Sequence, residues 1–360
     1  MTTIEEPRGF DQARFEAFGD RMLGMFNAGC TALLASIGHQ TGLFDALALA
    51  GAVTSEELAG RAGLNERYVR EWLGGMTVAG VVEYDPTARA YSLPPEHAGW
   101  LTVEAGSNNL ASTLRFIPLL AQVEQDIVRC FREGGGLSYA HYPRFHALMD
   151  EDSRSFVDAA LVNVVVPLVD GLDARLRAGI DVADVGCGSG HAINVFAREY
   201  PASRFVGFDF SEEAIARANA EVRSLSLTNA RFEWCDAAKL DQPDAFDLVT
   251  AFDAVHDQAH PGQVLAAIAR ATRPDGTFLM IDIKASSNVE DNIENPLAPV
   301  LYTFSTMHCM TVSLGLDGDG LGTVWGRQLA TSMLQEAGFA DIQVNELEDD
   351  LFNDYYVCRK

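Results

Sequence analysis

The sequence has no closely spaced cysteines. Its six cysteines form no C-x-x-C pair and are far apart along the chain: Cys30, Cys130, Cys187, Cys235, Cys309 and Cys358. Structural zinc sites and the disulfide frameworks of small secreted domains use cysteines at short, regular spacings. We therefore expect reduced thiols, as in the cytoplasm, and no bound metal.

Long apolar runs and positive charge are also scarce. The chain has no stretch of about 18 apolar residues, the length that a membrane-spanning helix needs. Residues 1–10 are acidic and have no apolar core, so they do not have the pattern of a signal peptide. The chain has 51 acidic residues against 26 Lys and Arg, and its formal net charge of −25 repels polyanions. We expect a cytoplasmic protein without a membrane or nucleic-acid partner.

The length and composition are typical of a globular protein with more than one domain. The 360 residues are enough for two hydrophobic cores, and 48% hydrophobic with 21% charged residues is an ordinary balance. Changes of pattern along the chain divide it into three parts. We predict a first domain over residues 1–105, a helical connector over 106–178 and an α/β domain over 179–360.

Residues 11–100 have the pattern of several helices followed by a hairpin. A capping box at Thr54 predicts the start of one short helix, and Asn65 can cap a second over residues 66–79. Residues 81–93 predict two short strands around a turn. Helix, turn, helix and hairpin together make a winged helix. Binding DNA is one use of that fold, but the charges of residues 66–79 cancel, which favours a role in packing or dimerisation.

The most informative motif is an apolar, strand-like run that ends in Asp184-x-Gly186-x-Gly188-x-Gly190. Glycines at this spacing allow tight turns and let a ligand lie against the main chain at a helix N-terminus, although such a turn can equally be structural. A dinucleotide fingerprint needs a further glycine where His191 stands. The motif instead resembles the first motif of class I S-adenosylmethionine-dependent methyltransferases. The resemblance implies S-adenosylmethionine as cofactor and associates Asp184 with its amino group.

Strand and helix patterns alternate from residue 179 onward. The pattern predicts seven strands, at residues 181–185, 204–208, 230–234, 248–252, 277–283, 341–346 and 354–359. Five strand-helix steps imply a mostly parallel, doubly wound α/β sheet with its ligand site at the carboxyl ends of the strands. The last two strands form a hairpin, and the resemblance implies that the seventh is antiparallel, as in the class I methyltransferase sheet.

Acidic residues follow several of these strands. Asp209 ends the second strand, where a carboxylate can accept hydrogen bonds from both ribose hydroxyls. Capping the next helix is the alternative role, but Ser211 suits that position better. The resemblance assigns the cofactor further contacts at the strand ends: Phe210, Asp236, Ala237, Phe252 and Asp253. The first three would meet the adenine and the last two would lie beneath the methyl donor.

A histidine follows the fourth strand. In small-molecule O-methyltransferases, which this layout resembles, a His-Asp pair in this loop supplies the general base, and His256 with Asp257 matches it. Deprotonating a phenol or an acid requires a group with a pKa near 7. Capping the next helix is the alternative. Asp282 matches one acidic partner of that histidine, whereas the second would fall near Val324, which is not an acid.

Two segments are candidate walls of a substrate pocket. Residues 139–146 are rich in aromatic residues and histidine, and residues 288–322 are rich in methionine and aromatic residues. Ordinary packing is an equally good explanation of both. The candidate substrate residues are Phe116, Tyr142, Asn163, Met307 and His308, of which His308 is also an alternative base.

The N-terminal layout resembles that of plant and bacterial small-molecule O-methyltransferases, and the whole chain resembles actinobacterial winged-helix methyltransferases of uncertain substrate. The resemblance implies a homodimer formed through the N-terminal domain. We expect methyl transfer to an oxygen of a small aromatic or polyketide-like metabolite, with His256 as base and Asp282 as its partner. The alternative is a transcriptional regulator that senses S-adenosylmethionine or a metabolite and has no catalytic activity.

Overall fold

The computed structural model describes residues 9–348 and 350–360, which form two compact units. The first unit ends at Pro118 and the second begins at Leu119. Within the described residues, no single helix is long and apolar enough to cross a membrane. One bent pair, Ala147–Leu168 with Leu172–Ala178, would meet the requirement on length and composition alone.

Helices and one small hairpin make up the first unit. In chain order they are α1 (Gln12–Gln40), α2 (Leu43–Ala50), α3 (Ser55–Ala62), α4 (Glu66–Val78), β1 (Glu83–Asp85), β2 (Ala90–Ser92), α5 (Pro95–Leu101), α6 (Leu110–Thr113) and α7 (Phe116–Ala121), whose last residues belong to the second unit. The two strands pair antiparallel. Phe44, Leu58 and Leu73 lie in the core between α2, α3 and α4. The predicted winged helix is confirmed.

Local hydrogen bonds determine where α3 and α4 begin. The Thr54 side chain accepts a hydrogen bond from the Glu57 amide, and the Glu57 carboxylate accepts one from the Thr54 amide, which completes the predicted capping box. Asn65 accepts a hydrogen bond from the Arg67 amide at the start of α4. Each cap pairs a backbone N–H that the helix itself leaves unpaired, and contributes about 1 kcal/mol.

The first helix carries an uncovered apolar surface. All residues of α1 from Gln12 to Cys30 are exposed. Six of these exposed residues are large and apolar: Phe15, Phe18, Met22, Leu23, Met25 and Phe26. Spacings of three, four and three residues place Phe15, Phe18, Met22 and Met25 along one side of the helix, as in a helix that packs against another helix.

The second unit is a sheet with helices on both faces. Its helices are α8 (Glu124–Glu133), α9 (Phe145–Ala160), α10 (Leu172–Ala178), α11 (His191–Glu199), α12 (Glu212–Ser224), α13 (Pro261–Ala271), α14 (Ala298–Phe304), α15 (Met310–Gly315) and α16 (Gly326–Ala337). Its strands are β3 (Asp181–Val185), β4 (Arg204–Asp209), β5 (Ala230–Trp234), β6 (Phe246–Phe252), β7 (Thr272–Ile283), β8 (Asp341–Asn345) and β9 (Asn353–Arg359).

The sheet has the strand order β5-β4-β3-β6-β7-β9-β8. The five strands from β3 to β7 are parallel, and β9 runs antiparallel between β7 and β8. The predicted doubly wound, seven-stranded sheet with an antiparallel last strand is confirmed. Because β4 and β6 lie on opposite sides of β3, the strand order reverses at β3, and such a reversal opens a ligand crevice at the carboxyl ends of the strands.

Both faces of the sheet are buried. Along β3, Val182 packs in one core, whereas Ala183 and Val185 pack in the core on the other face. The neighbouring strand β6 alternates in the same way, with Leu248 on one face and Val249 on the other. Successive side chains of a strand point to opposite faces, so a strand buried on both faces is a continuous apolar run. This is why the sequence located these strands well.

Two elements differ from the sequence prediction. Strand β7 begins at Thr272, five residues before the predicted start, because it continues through Pro274 and Gly276 with a register shift against β6. The connector is also more broken than predicted. Within the connector, which was predicted to be helical over residues 106–178, the helix that starts at Phe145 passes into a π-helical turn at Leu161–Val165 and ends before Gly171, which has a φ of 72°.

Candidate active site

A glycine loop joins the end of β3 to the start of α11. Gly186, Gly188 and Gly190 have φ values of 75°, 53° and 82°, which L side chains rarely adopt. A Cβ on Gly186 would lie 2.4 Å from the Cβ of Ala254, and one on Gly190 would lie 2.3 Å from the Phe232 ring. Among the described residues, a Cβ on Gly188 would meet no heavy atom within 4 Å. The loop is therefore tightly packed at both ends and open in the middle.

Asp209, at the end of β4, holds this loop against the strand. Its Oδ2 accepts a hydrogen bond from the Gly188 amide at 2.8 Å, and its Oδ1 accepts one from the Ser211 amide at 2.8 Å. Ser211 Oγ accepts a hydrogen bond from the Ala214 amide and caps α12, the role expected for it. The Asp209 carboxylate therefore lies beside the open part of the loop, where the sequence predicts a ribose contact.

Asp184 is buried where the strand order reverses. Its Oδ1 accepts a hydrogen bond from the Thr250 hydroxyl of β6 at 2.7 Å. Burial, reinforced by the charge of Asp209 and opposed by the hydrogen bond from Thr250, raises the pKa of Asp184 to about 7. A cationic group bound beside this carboxyl would favour its ionised form.

The ends of β4 and β5 bring the predicted adenine residues to neighbouring positions. The Trp234 indole N–H donates to the Phe210 carbonyl at 2.7 Å. Asp236 Oδ1 accepts a hydrogen bond from a backbone amide two residues later, and its Oδ2 lies 2.8 Å from Lys239 Nζ. Ala237 is buried, and the Phe210 side chain is exposed. The Asp236 carboxylate thus already has a lysine partner at the site of its predicted adenine contact.

Asp253 directly follows Phe252, the last residue of β6, and has a φ of 49°. The left-handed conformation is uncommon for residues other than glycine, and such residues cluster at functional sites. Burial, with repulsion from Asp282, raises the pKa of Asp253 to about 7. Its Oδ1 is buried and has no hydrogen-bond partner within residues 9–348 and 350–360. A ligand that donates a hydrogen bond here would satisfy this oxygen.

His256 and Asp282 form a buried pair between the ends of β6 and β7. His256 Nδ1 lies 2.8 Å from Asp282 Oδ1, and the two residues are 4% and 1% exposed. The same Oδ1 accepts hydrogen bonds from the Trp325 indole N–H at 3.0 Å and from the Ile283 amide at 2.8 Å. With the carboxylate fixed in this way, the imidazole is held with Nδ1 toward Asp282 and Nε2 on the opposite side.

That opposite side of the imidazole meets Asp257 and Cys309. His256 Nε2 lies 3.4 Å from Asp257 Oδ1, and donor atoms of the three residues are within 4.8 Å of one another. Burial lowers the pKa of His256, but the charges of Asp282 and Asp257 outweigh it and raise the pKa well above its usual value. Burial, with the charge of Asp257, raises the pKa of the Cys309 thiol to about 11. Near neutral pH, His256 is therefore an imidazolium stabilised by two carboxylates, beside a protonated thiol.

His308 is the centre of an aromatic cluster. Its ring stacks on Phe145 with centroids 3.5 Å apart and an interplanar angle of 12°. The rings of Tyr142 and Tyr139 meet it edge-on at 4.8 Å and 5.6 Å. Tyr139 also lies 5.6 Å from the ring of Phe210. The cluster therefore joins the predicted aromatic segment, the predicted insertion and the end of β4.

The remaining predicted substrate residues differ in location. Tyr142 donates a hydrogen bond from its hydroxyl to the carbonyl of Met307, so these two residues meet beside the cluster. Asn163 is exposed in the π-helical turn Leu161–Val165. Phe116 is buried at the start of α7, in the first unit.

A polar network links α9 to the glycine loop. Ser189 donates a hydrogen bond to the Asp150 carboxylate, and Arg154 Nε donates to the same side chain at 3.1 Å. The Arg154 guanidinium also donates to both carboxylate oxygens of Glu221 on α12, at 3.0 and 2.9 Å. Such fork-to-fork pairs fix orientation as well as adding energy. They keep α9 close to the loop.

Sequence reasoning did not identify Trp325 or Cys309 as site residues. Trp325 lies two residues after Thr323 in an irregular segment, one position beyond the place where the family pattern has an acid. The only feature of the sequence that could have indicated a role for Trp325 is the glycine that follows it. Cys309 ends a π-helical turn, Ser305–Cys309, and nothing in its spacing indicated that it would meet His256.

Two family models match the chain. A model described as the Rv2258c-like winged HTH domain matches residues 29–103, and one described as a methyltransferase domain matches residues 176–338. The first covers the winged helix, and the second covers the glycine loop and the strands from β3 to β7. The two matches agree with the two folds described above.

Curated relatives share part of the chain. The 27-O-demethylrifamycin SV methyltransferase of Amycolatopsis mediterranei is 31% identical over 141 residues, which are 38% of this chain and 50% of the relative. The phosphatidylethanolamine N-methyltransferase of Cereibacter sphaeroides is 31% identical over 142 residues, which are 37% of this chain and 68% of the relative. The chain spans about half the length of most of the curated relatives it matches.

Solved structures resemble nearly the whole chain. A protein of Nostoc punctiforme PCC 73102, described as a candidate O-methyltransferase, has a TM-score of 0.72 at 18% identity, and the match covers 94% of this chain and 98% of that one. At that identity the likeness shows the fold. Together with the methyltransferase domain and the relatives above, it identifies this chain as a member of the class I S-adenosylmethionine-dependent methyltransferases that carry an N-terminal winged-helix domain.

Proposed function

We propose that this protein transfers a methyl group from S-adenosylmethionine to an oxygen of a small aromatic or polyketide-like acceptor. The observation that carries the proposal is the buried His256–Asp282 pair, whose histidine stands in a loop that packs against Gly186 through Ala254. A hydroxyl becomes a good nucleophile when a base removes its proton, and a histidine held by a carboxylate is such a base. The rifamycin-related name of the Amycolatopsis relative and the O-methyltransferase description of the Nostoc protein support the acceptor class.

The residues at the strand ends fit the proposed cofactor. The opening at Gly188 lets a ligand approach the main chain, and the Asp209 carboxylate beside it can accept hydrogen bonds from hydroxyls. The buried carboxyls of Asp184 and Asp253 suit the cationic methionine end, and Asp236 would meet the adenine. When bound, the cofactor supplies an electrophilic methyl group on a sulfonium. The chain contributes binding, orientation and exclusion of water.

In the proposed reaction, His256 Nε2 takes the proton from the acceptor hydroxyl. Asp282 accepts the Nδ1–H bond throughout, so the resting imidazolium must first release its Nε2 proton, and the carboxylate then stabilises the imidazolium that forms again in the reaction. The Trp325 indole and the Ile283 amide hold the carboxylate in place while the charge changes. General-base catalysis of this kind contributes a factor of about 10² to 10⁴ in rate.

The aromatic cluster is the proposed acceptor wall. His308 directly precedes Cys309 in the chain, and a donor atom of Cys309 lies within 4.8 Å of one of His256, which supports placing the acceptor near both. Tyr139 and Tyr142 present ring edges to the His308 ring. A flat aromatic acceptor can stack on such rings, an arrangement worth about 0.5 to 1.5 kcal/mol beyond burial. Met307 and Asn163 are further proposed contacts with the acceptor.

We further propose that the protein works as a homodimer through α1. The stripe formed by Phe15, Phe18, Met22 and Met25 is exposed and has the spacing of a helix-helix seam. A second copy of α1 provides an equal and matching stripe, as a two-fold dimer requires. Light scattering should give twice the mass of the 39.0 kDa chain, and Phe18→Glu should give the monomer. A monomeric wild type would contradict this assembly.

The charges of α4 favour this assembly role over DNA binding. Arg67 pairs with Glu71, and Arg70 pairs with Glu66 at 3.1 Å, each four residues along the same helix. A recognition helix needs free cations to meet phosphates. On α4 these two arginines are already neutralised, so we do not propose the regulator function.

Calorimetry followed by an acceptor screen tests the enzyme proposal. We expect micromolar binding of S-adenosylhomocysteine, no binding of NAD⁺, and O-methyl products from phenols or polyketides. His256→Ala should retain cofactor binding and reduce turnover by about 100-fold or more. His260→Ala is the matched control, because it removes a partly exposed histidine from the same loop. Full turnover by the His256 variant would contradict the base assignment.

A further inference from the structure

Three potential metal-ligand atoms meet on the side of His256 that faces away from Asp282. They belong to His256, Asp257 and Cys309, each of which offers one donor atom within 4.8 Å of the other two, and His256 Nε2 lies 3.4 Å from Asp257 Oδ1. His256 and Cys309 are buried, and the Asp257 side chain is 18% exposed. The residues come from two separate segments, the loop after β6 and the π-helical turn before α15. The tertiary structure therefore brings the three donors together.

The spacing of these atoms fits tetrahedral coordination. Zinc lies about 2.0 to 2.1 Å from histidine nitrogen and about 2.0 to 2.2 Å from carboxylate oxygen, so at a tetrahedral angle these two ligand atoms are about 3.4 Å apart. The observed distance between His256 Nε2 and Asp257 Oδ1 is 3.4 Å. With a zinc-sulfur distance of about 2.3 Å, the thiolate would lie about 3.6 Å from each of them. The three donor atoms are at most 4.8 Å apart, so a side-chain movement of about 1 Å would bring the sulfur to this distance from the other two.

The surroundings of His256 are those of a metal-binding histidine. Such a histidine almost always donates its other ring N–H to a carboxylate, which fixes the tautomer and the ring orientation. His256 does this through Nδ1 to Asp282, and that carboxylate is itself held by the Trp325 indole. The nitrogen left for a ligand bond is the one that faces Asp257 and Cys309.

The local charge also suits a cation. Asp253, Asp257 and Asp282 surround a single imidazole. In the part of the chain that the structure describes, one buried oxygen of each of these carboxylates has no hydrogen-bond partner. A buried carboxylate oxygen without a hydrogen-bond partner is costly, and a bound divalent ion would compensate the negative charge that three carboxyls place around one imidazole.

We propose that His256, Asp257 and Cys309 form a three-ligand site for a divalent transition-metal ion such as Zn²⁺, with the fourth coordination position open. The thiol and the imidazolium Nε2 each lose a proton to solvent when the ion binds. The mixed nitrogen, sulfur and oxygen donors select zinc-like ions over magnesium and calcium, which prefer oxygen ligands alone. Because the ion occupies the Nε2 lone pair, it prevents His256 from accepting a proton; this inhibition rests on the proposed function, whereas metal binding does not.

Cobalt spectroscopy of the full chain tests the site without any assay of turnover. Titration of the chelator-treated protein with Co²⁺ should produce a thiolate-to-cobalt charge-transfer band and the intense visible bands of four-coordinate cobalt, and Zn²⁺ should abolish both. Cys309→Ser should lose the charge-transfer band and weaken binding by at least tenfold. Cys30→Ser is the matched control, because it removes an exposed thiol far along the chain and should leave the spectrum unchanged.

Asp282→Asn supplies a second variant that keeps all three ligands. Loss of the carboxylate behind a ligating histidine typically costs about 10- to 100-fold in metal affinity, so its cobalt affinity should fall by that factor while the charge-transfer band remains. S-adenosylhomocysteine binding checks that each variant is folded. A wild type without the band, or a band that survives in Cys309→Ser, would overturn the site.

Inhibition is measured separately. Zn²⁺ should inhibit methyl transfer by the wild type, and the concentration for half-inhibition should rise at least tenfold in Cys309→Ser. If cobalt binds but zinc does not inhibit, the inhibitory role is overturned while the site stands. If cobalt binds with the expected spectrum and no acceptor is ever methylated, the metal site stands and the proposed enzyme function fails.

Discussion

Replacing Asp282 tests how the proposed base is held. Three donors converge on its Oδ1: His256 Nδ1, the Trp325 indole N–H and the Ile283 amide. Asn has the same shape and retains an oxygen acceptor, so all three donors keep a partner in Asp282→Asn. What Asp282→Asn loses is the negative charge of the carboxylate. A hydrogen bond to a charged group contributes about 1.5 to 3 kcal/mol and a neutral one about 0.5 to 1.5 kcal/mol, so the imidazolium loses about 1 to 1.5 kcal/mol.

That difference corresponds to a fall of about tenfold in kcat/KM for Asp282→Asn, since 1.4 kcal/mol is a factor of ten. Asp282→Ala instead leaves three buried donors without a partner. At about 1 to 3 kcal/mol each, this variant should lose several kcal/mol of unfolding free energy as well as most of its activity.

The assay compares kcat/KM at saturating cofactor with denaturant unfolding of both variants. S-adenosylhomocysteine affinity serves as the control, because Asp282 is not among the proposed cofactor contacts. Wild-type rates in Asp282→Asn would refute the proposed role of its charge. Equal destabilisation of the Asn and Ala variants would refute the argument from satisfied donors.

Three further predictions concern the cofactor cradle. The pKa of Asp184 is raised to about 7 in the folded protein, against about 3.9 in the unfolded chain. The folded state therefore binds its proton more tightly. The resulting stability is fully present below about pH 4 and is lost as the pH rises through about 7. The free energy of unfolding of the apoprotein should therefore fall over that interval, and Asp184→Asn should flatten the profile; an unchanged slope would count against it. Gly188→Ala should weaken S-adenosylhomocysteine binding with a small change in Tm, whereas Gly190→Ala should lower Tm strongly because its Cβ would overlap the Phe232 ring; similar melting curves would contradict this. Asp209→Ala should reduce S-adenosylhomocysteine affinity by about 1 to 3 kcal/mol in calorimetry, and unchanged affinity would remove the proposed ribose contact.

The capping and turn signals of the sequence predicted local structure well. Thr54 and Asn65 begin the predicted helices, because a cap depends on a few neighbouring residues. The predicted strands of the sheet are also correct to within two residues at most ends, because buried parallel strands are continuous apolar runs. The start of β7 was missed, since Pro274 and Gly276 are turn residues in sequence statistics but lie within this strand.

The sequence also predicted which polar side chains follow the strands at their carboxyl ends. Asp209 lies beside the open glycine loop, and His256 and Asp282 meet although they are 26 residues apart. Their meeting follows from parallel pairing, since β6 and β7 are neighbours with Phe252 opposite Ile281. Parallel strands end at the same edge of a sheet, so residues that follow them converge there.

The sequence by itself therefore determined the order of the elements and the glycine loop, because these depend on local conformation. It also determined the position of the proposed base, because that position follows from strand pairing. Only the tertiary structure decided what surrounds that base. Trp325 reaches Asp282 from an irregular segment, and Cys309 reaches His256 from a π-helical turn. No periodic pattern in the sequence predicts either contact, because the path of an irregular segment depends on how the whole core packs.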